Sequence, residues 1–394
     1  MDHWSIIENK VKIKKLNPFL ILKMIFLFLF ILSFILLSGH FFLYFTLINF
    51  LNISNPNLKL WLGVIFFILS FSFLLASVWA HYSVGAPAKI TYRIFSFWLG
   101  LGWNLTMAFL FSWLIVAIFK ITGYNFDPKY YLFFISFILA TTYSIWGLWN
   151  AYHPQIKNIS LEIKNLPASW QDKKIIQLSD LHLGHIYGEN FLQEVVDKVN
   201  AEEPDMVFIT GDLFDGMDGE LDYLVAPLKK LKAPNGIYFV TGNHETYLGI
   251  ERTYKTLEKT PLRILKNESV EVDGVQIVGV EYPEMREKNG FEKNLKKVKD
   301  FQPEAFNILL YHSPDSVREA RERGIDLQFS GHTHRGQVFP FGLITYLIYG
   351  PYHSGLIQEG DFNLYTSVGT GSWGPMMRTS GQSEIGIFEF NSLK

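Results

Sequence analysis

The chain has 394 residues, no cysteine and a formal net charge of −2. Without cysteine, disulfides and thiolate metal sites are excluded. The near-neutral total hides a division: residues 1–150 carry ten Lys+Arg against three Asp+Glu, and residues 151–394 carry twenty-five against thirty-four. A net-acidic second part argues against a general nucleic-acid binder, which needs a basic footprint.

Residues 1–23 are polar and basic, with Lys10, Lys12, Lys14, Lys15 and Lys23. No Asp, Glu, Lys or Arg then appears from Met24 to Leu58, too long a run for the apolar region of a signal peptide. The pattern predicts a membrane helix at roughly 20–43 and three more near 60–80, 94–119 and 130–151, each about long enough to span. Trp61, Trp79, Trp98, Trp146 and Trp149 lie toward the ends of these runs, where interfacial aromatics belong. Lys and Arg are biased to the N-terminal flank and to Lys89 and Arg93, against Lys59, Lys120 and Lys129 on the other side. That bias places the N-terminus, and after four spans the C-terminal domain, in the cytoplasm. His40, His81 and His153 read as interfacial or packing residues.

The soluble domain is expected from Tyr152 to the end, giving regions 1–151 and 152–394. Leu161–Ile163 and Ile175–Leu178 read as strands, the second ending in Asp180 and His182. Residues 190–200 have helical spacing, with Phe191, Val195, Val196 and Val199 on one face. Met206–Thr210 is a strand ending in Gly211-Asp212, and a helix is expected near 219–232. Ile237–Thr241 runs into Gly242-Asn243-His244-Glu245. Residues 270–278 read as a hairpin turning at Asp273-Gly274. Phe306–Tyr311 ends in His312, and Leu327–Ser330 in Gly331-His332-Thr333-His334. Strands alternating with helices imply an α/β domain, and such sheets place ligands beyond the carboxyl ends of their strands.

The polar strand ends collect Asp180, His182, Asp212, Asn243, His244, His312, His332 and His334. These are oxygen and imidazole donors throughout, a mixture that suits Mn, Fe, Zn or Co better than Mg or Ca. Eight residues exceed the need of one ion. Two ions sharing a carboxylate would use seven and leave one for proton transfer, and such pairs are the usual arrangement for displacement at phosphorus.

The order D-x-H, G-D, G-N-H-E, a lone H and G-H-x-H resembles the calcineurin-like metallophosphoesterases over roughly residues 170–380. The resemblance implies a two-sheet β-sandwich flanked by helices, here following a four-helix transmembrane region. It implies a first metal at Asp180, His182, Asp212 and His334, with Asp212 bridging to a second held by Asn243, His312 and His332. His244 matches the family's non-ligand histidine near the leaving group, with Asp215 or Glu245 as its orienting partner. Arg378 matches an arginine near the family's active site, and its forked donors suit a phosphate oxygen. Arg335 replaces a glycine common in relatives and stands either at the pocket rim or in solvent. His185 reads as a surface residue and His353 as structural.

The expected activity is hydrolysis of a phosphodiester or pyrophosphate, with hydroxide generated at the metal pair and His244 as general acid. The four spans, and the S-D-L-H-L-G and G-H-T-H-x-G-Q forms, point to a membrane-associated branch with a lipid-linked substrate. The same chemistry on a soluble nucleotide or small phosphoester is the alternative. A metal-binding sensor ranks lower because the donor set is complete. A transporter ranks lower because the spans contain almost no ionisable residues. The apolar residues Phe339, Phe341, Leu343–Tyr349, Tyr352, Leu356, Ile357 and Trp373 fit either core strands or an exposed rim dipping into the headgroups.

Overall fold

The computed structural model describes residues 18–164, 166–216, 221–284, 287 and 289–392. The basic flank with Lys10 to Lys15 lies outside the described residues. Among the described residues four helices are long and apolar enough to cross a membrane: α1 (Pro18–Phe50), α2 (Pro56–Tyr82), α3 (Ala86–Ile121) and α4 (Lys129–Tyr152). They overrun the predicted spans at both ends. Many of their described hydrophobic residues are exposed, among them Phe34, Trp61, Phe111 and Leu139, the pattern of helices whose solvent is lipid.

The chain divides into two compact units. One contains the chain up to Ser72 together with Thr106–Ile135. In it Phe50 packs edge-on against Phe109, and Trp113 Nε1 donates to Thr46 Oγ1 at 2.9 Å. The other unit joins Phe73–Leu105 and Ser136 onward. It therefore includes the last turns of α2, the first half of α3, most of α4 and all of the α/β part.

Among the described residues of the α/β part twelve strands form two six-stranded sheets. The first has the order β1 (Gln155–Ile163), β12 (Glu384–Ser392), β2 (Lys174–Leu178), β3 (Met206–Thr210), β4 (Ile237–Val240) and β5 (Arg263–Ile264). The second runs β10 (Gly355–Glu359), β11 (Phe362–Thr366), β9 (Leu327–Ser330), β8 (Phe306–Leu310), β7 (Val275–Gly279) and β6 (Glu268–Val272). β2, β3 and β4 are mutually parallel, as are β7, β8, β9 and β11. Their carboxyl ends consequently gather along one edge of each sheet. The β6–β7 hairpin turns through Asp273 at φ 50° and Gly274 at φ 85°, the double left-handed turn its sequence calls for.

Alternation along β3 builds the layers. Met206 and Phe208 face the other sheet, where Phe208 meets Phe329 at 5.4 Å between ring centroids. Val207 and Ile209 face outward, toward α5 (Glu189–Ala201) with its buried Leu192, Val195, Val196 and Val199. That outer layer also takes in Ala76 and Ala80 of α2 and Tyr92 of α3. On the second sheet's outer face, α8 (Gly290–Lys297) and α9 (Val317–Glu322) bury Phe291, Leu295, Val317 and Ala320. Each buried phenylalanine contributes roughly 1.5–3 kcal/mol.

Two expectations change, and a third reading, open in the sequence between core strands and an exposed rim, narrows. The segment expected to be helical at 219–232 is a short 3₁₀ turn, Ala226–Lys230, among the described residues. Pro227 is tolerated only in a first helical turn, so no helix can run through it. The polar elbow after β4 is itself a helix, α6 (Asn243–Leu248), followed by α7 (Ile250–Leu257). The apolar stretch after Pro340 is a helix, α10 (Phe341–Tyr349), in which no residue is buried.

Candidate metal centre

Five strand ends converge. β2 delivers Asp180 and His182, β3 delivers Asp212, β4 leads into Asn243 and His244, β8 delivers His312, and β9 delivers His332 and His334. Five of these residues hold left-handed backbone: Asp180, His182, Asp212, His332 and His334, with φ from 49° to 71°. Each costs a non-glycine residue roughly 1–3 kcal/mol and persists only where the surroundings over-determine it.

Those surroundings are specific. Asp180 N–H donates to Gly211 O at 3.1 Å and His182 N–H to Asp212 O at 3.0 Å. The Glu245 carboxylate accepts N–H bonds from Asp212 (2.9 Å), Phe214 (3.1 Å) and Gly242 (2.7 Å), tying the β3 and β4 loops together. A Cβ on Gly242 would lie 2.2 Å from Asp212 Oδ1, so only glycine lets these loops approach so closely. Glu245 is thus a clasp, and burial with the nearby Asp212 charge lifts its carboxyl to about 7.

The donor atoms face one another. His182 Nε2 lies 3.1 Å from His334 Nε2, and His334 Nε2 lies 3.3 Å from Asp180 Oδ1. His312 Nδ1 donates to Thr210 O at 2.7 Å, which turns its Nε2 to Asp212 Oδ2 at 3.1 Å and to His332 Nδ1 at 3.2 Å. Among the described residues three groups come within metal-binding reach: Asp180, His182 and His334; His182, Asp212 and His244; Asp212, His312 and His332. Asp212 belongs to two of them. Asn243 Oδ1 is buried with no hydrogen-bond partner.

The charges at the centre are mixed: burial and neighbouring imidazoles push His182 well down and His332 down to about 4, whereas the carboxylates favour a charged His312. Burial alone would lift the Asp180 carboxyl, but the His334, His312 and His182 imidazoles hold it well below the usual range. Burial alone would lower His312, yet the Asp212 carboxylate beside it raises it to about 10. Two carboxylates thus stabilise a cation in a fully buried position, and an oxygen–imidazole set of this kind fits divalent ions.

Around the donors lies an aromatic rim. Tyr247 and Trp373 flank His244 at 5.4 and 5.6 Å, and Tyr282 and Tyr349 flank His332 at 6.0 and 6.1 Å between ring centroids. Neither Tyr247 nor Tyr282 is singled out by any sequence motif. His244 Nδ1 donates to the backbone carbonyl of Asp215 at 2.8 Å. The Asp215 carboxylate instead faces His182, with Oδ1 3.8 Å from Nδ1, and burial plus the Asp212 charge push it up to about 7.

Arg378 has no exposed surface. It lies behind the donors, not at their mouth. Its Nε donates to Gly371 O at 2.9 Å and Nη2 sits 3.0 Å from His334 Nδ1. Its backbone N–H donates to Gly147 O of α4 at 2.8 Å, and Tyr143 of α4 donates to Thr379 O at 2.9 Å. A Cβ on Gly147 would lie 2.7 Å from Thr379 Cγ2, which is why the chain can lie against α4 there. On α3, Ser96 Oγ accepts from Met376 N–H at 2.9 Å and itself donates to Gly374 O at 2.5 Å. The remaining polar candidates fall outside the cluster. His185 is buried, because α2 covers it and its Nε2 donates to Ala80 O at 2.8 Å. The His353 carbonyl accepts from Thr333 Oγ1 at 2.6 Å, His153 stacks on Trp149, and Arg335 is exposed.

A two-sheet α/β sandwich with these donors at its strand ends, following four apolar helices, is the architecture of a membrane-associated metal-dependent phosphoester hydrolase. Residues 173–336 match the sequence profile of the calcineurin-like phosphoesterases. The chain is 34% identical over 297 residues to an uncharacterised metallophosphoesterase of Campylobacter jejuni, covering 74% of this chain and 78% of that one. It is 36% identical over 258 residues to one of Helicobacter pylori, covering 64% and 68%. It is also 34% identical over 269 residues to a bovine transmembrane protein with metallophosphoesterase domain, covering 64% and 60%. The chain belongs to the calcineurin-like metallophosphoesterases.

Proposed function

We propose that this protein is a membrane-embedded dimetal phosphoesterase that hydrolyses a phosphodiester or pyrophosphate bond of a lipid-linked substrate. Residues 1–151 form the membrane region and 152–394 the catalytic region. Asp180, His182, Asp212 and His334 would hold one ion, and Asp212, Asn243, His312 and His332 the other. When bound, such a pair polarises the phosphoryl group and supplies the nucleophile by lowering the pKa of water.

The protein's own residues do the rest. With its Nδ1 proton given to the Asp215 carbonyl, His244 exchanges protons through Nε2 and donates one to the leaving oxygen. The Asp215 carboxylate steadies His182, and Glu245 holds Asp212 in register with Asn243. Arg378 acts as a positioning residue for the His334 segment, through the Nη1–H it donates to His334 O at 3.4 Å.

The observation that carries the lipid reading is the path from His334 through Arg378 to Gly147: a single residue separates a candidate ligand from helix α4. The test compares kcat/KM for one head group with and without its lipid tail, in liposomes. We expect the tailed compound to be preferred by at least tenfold. Equal hydrolysis would replace this reading with the soluble-phosphoester one. The Lys/Arg bias adds a prediction about sidedness, with the catalytic region on the cytoplasmic face of the plasma membrane. A reporter active only outside that membrane, fused after Lys394, should be silent, and strong activity would reverse the assignment.

A further inference from the structure

α10 has the sequence FGLITYLIY, with no charged residue and none buried. Leu343 is 66% exposed, Leu347 82% and Ile348 66%, and Phe339 just before the helix is 57% exposed. α5, α7, α8 and α9 each bury one face and charge the other, as α5 does with Leu192, Val195 and Val196 against Glu194 and Asp197. A helix apolar on every side belongs in a protein core or in lipid, and α10 is not in the core.

Its attachment says which. Trp103 of α3 stacks on Phe341 with ring centroids 4.7 Å apart, and its Nε1–H donates to Phe339 O at 2.7 Å. Trp103 stands 18 residues before the end of α3 at Ile121, and Gly147 stands 18 residues after the start of α4 at Lys129. At about 1.5 Å per residue, both distances are about 27 Å, close to the roughly 30 Å hydrocarbon thickness. By helix length alone, a hydrocarbon layer that begins at the α3–α4 connection would end near Trp103 on α3 and near Gly147 on α4. A tryptophan with its N–H satisfied is the residue expected at that depth. α10 begins there, and at its other end the Tyr349 ring lies 6.1 Å from that of His332.

We infer that α10 lies in the bilayer interface, its Leu343, Leu347 and Ile348 side immersed in lipid, so that the rim of the metal centre is set into the headgroup layer. Lipid is the occupant because the apolar surface of α10 continues that of α3 through the Trp103–Phe341 stack. The inference stands whether or not the substrate carries a tail.

The chain has no cysteine, so one introduced cysteine gives one label. Leu347→Cys in the full chain, carrying a nitroxide and placed in phosphatidylethanolamine/phosphatidylglycerol vesicles, is compared with Phe111→Cys in α3 and Lys297→Cys on α8. The expected result is frequent collision with oxygen and protection from a water-soluble nickel chelate, as at Phe111. Accessibility to nickel like that at Lys297 would overturn the inference by placing α10 in water. Protection from both reagents would overturn it by showing a protein partner, such as a second copy of the chain. Leu343→Cys repeats the measurement if the label at 347 disturbs folding.

Discussion

Asp212→Asn is expected to leave a folded protein that has lost both its metal pair and its activity. Asp212 is buried and belongs to two of the three donor groups. One carboxylate oxygen accepts His244 N–H at 2.9 Å, and the other faces His312 Nε2 at 3.1 Å. Asparagine can keep the first bond. It removes the charge from the second position and offers an N–H donor where a metal needs an oxygen. The fold should survive because the loop is held by the Asp212 backbone N–H on Glu245, which the substitution does not touch. A group that merely orients a ligand is worth roughly 10–100-fold in metal affinity or activity, and loss of the shared carboxylate should exceed that. Metal analysis alongside turnover of a nitrophenyl phosphodiester checks it. Two bound ions with near-normal turnover would end the bridging assignment.

His244→Ala should keep both ions and lose roughly 10²–10⁴-fold in rate, the usual contribution of a general acid. The geometry makes this a sharp experiment. His244 also comes within metal-binding reach of His182 and Asp212, so a ligand role and an acid role differ in the metal content they predict. The leaving group provides the second readout. Nitrophenolate departs without a proton, so the loss should shrink for nitrophenyl esters and stay large for alkyl ones. An ion missing from the variant, or an equal loss on both substrates, would count against the acid role.

Much of the site is legible in the sequence because each strand is a short apolar run that stops at Asp or His. Parallel pairing then does the assembling, bringing the ends of β2, β3, β4, β8 and β9 to one place. What is not legible is the backbone at those ends. Asp and His tolerate a positive φ better than most residues, but which of them adopt it is set by bonds that exist only in the folded chain, such as Asp180 N–H to Gly211 O and His182 N–H to Asp212 O. Arg378 illustrates a second limit: its neighbourhood marks it as belonging to the site, but only the fold shows that Gly371 and His334 take up its guanidinium. The stretch around α10 illustrates a third. An apolar run of nine residues has no period to distinguish core strand from lipid-facing helix, and its surroundings decide.

The outer layer over the first sheet has a consequence for how such a protein can be divided. Ala76, Ala80 and Tyr92 share one apolar cluster with Ile176, Leu178 and Leu192, and the boundaries between compact units fall at Ser72/Phe73, Leu105/Thr106 and Ile135/Ser136, inside α2, α3 and α4. The boundary between the compact units therefore runs through helices and not through a linker. Cutting at Tyr152 would strip Ala76, Ala80 and Tyr92 from the apolar cluster they share with the first sheet, so the catalytic region cut there should be less stable than the full chain.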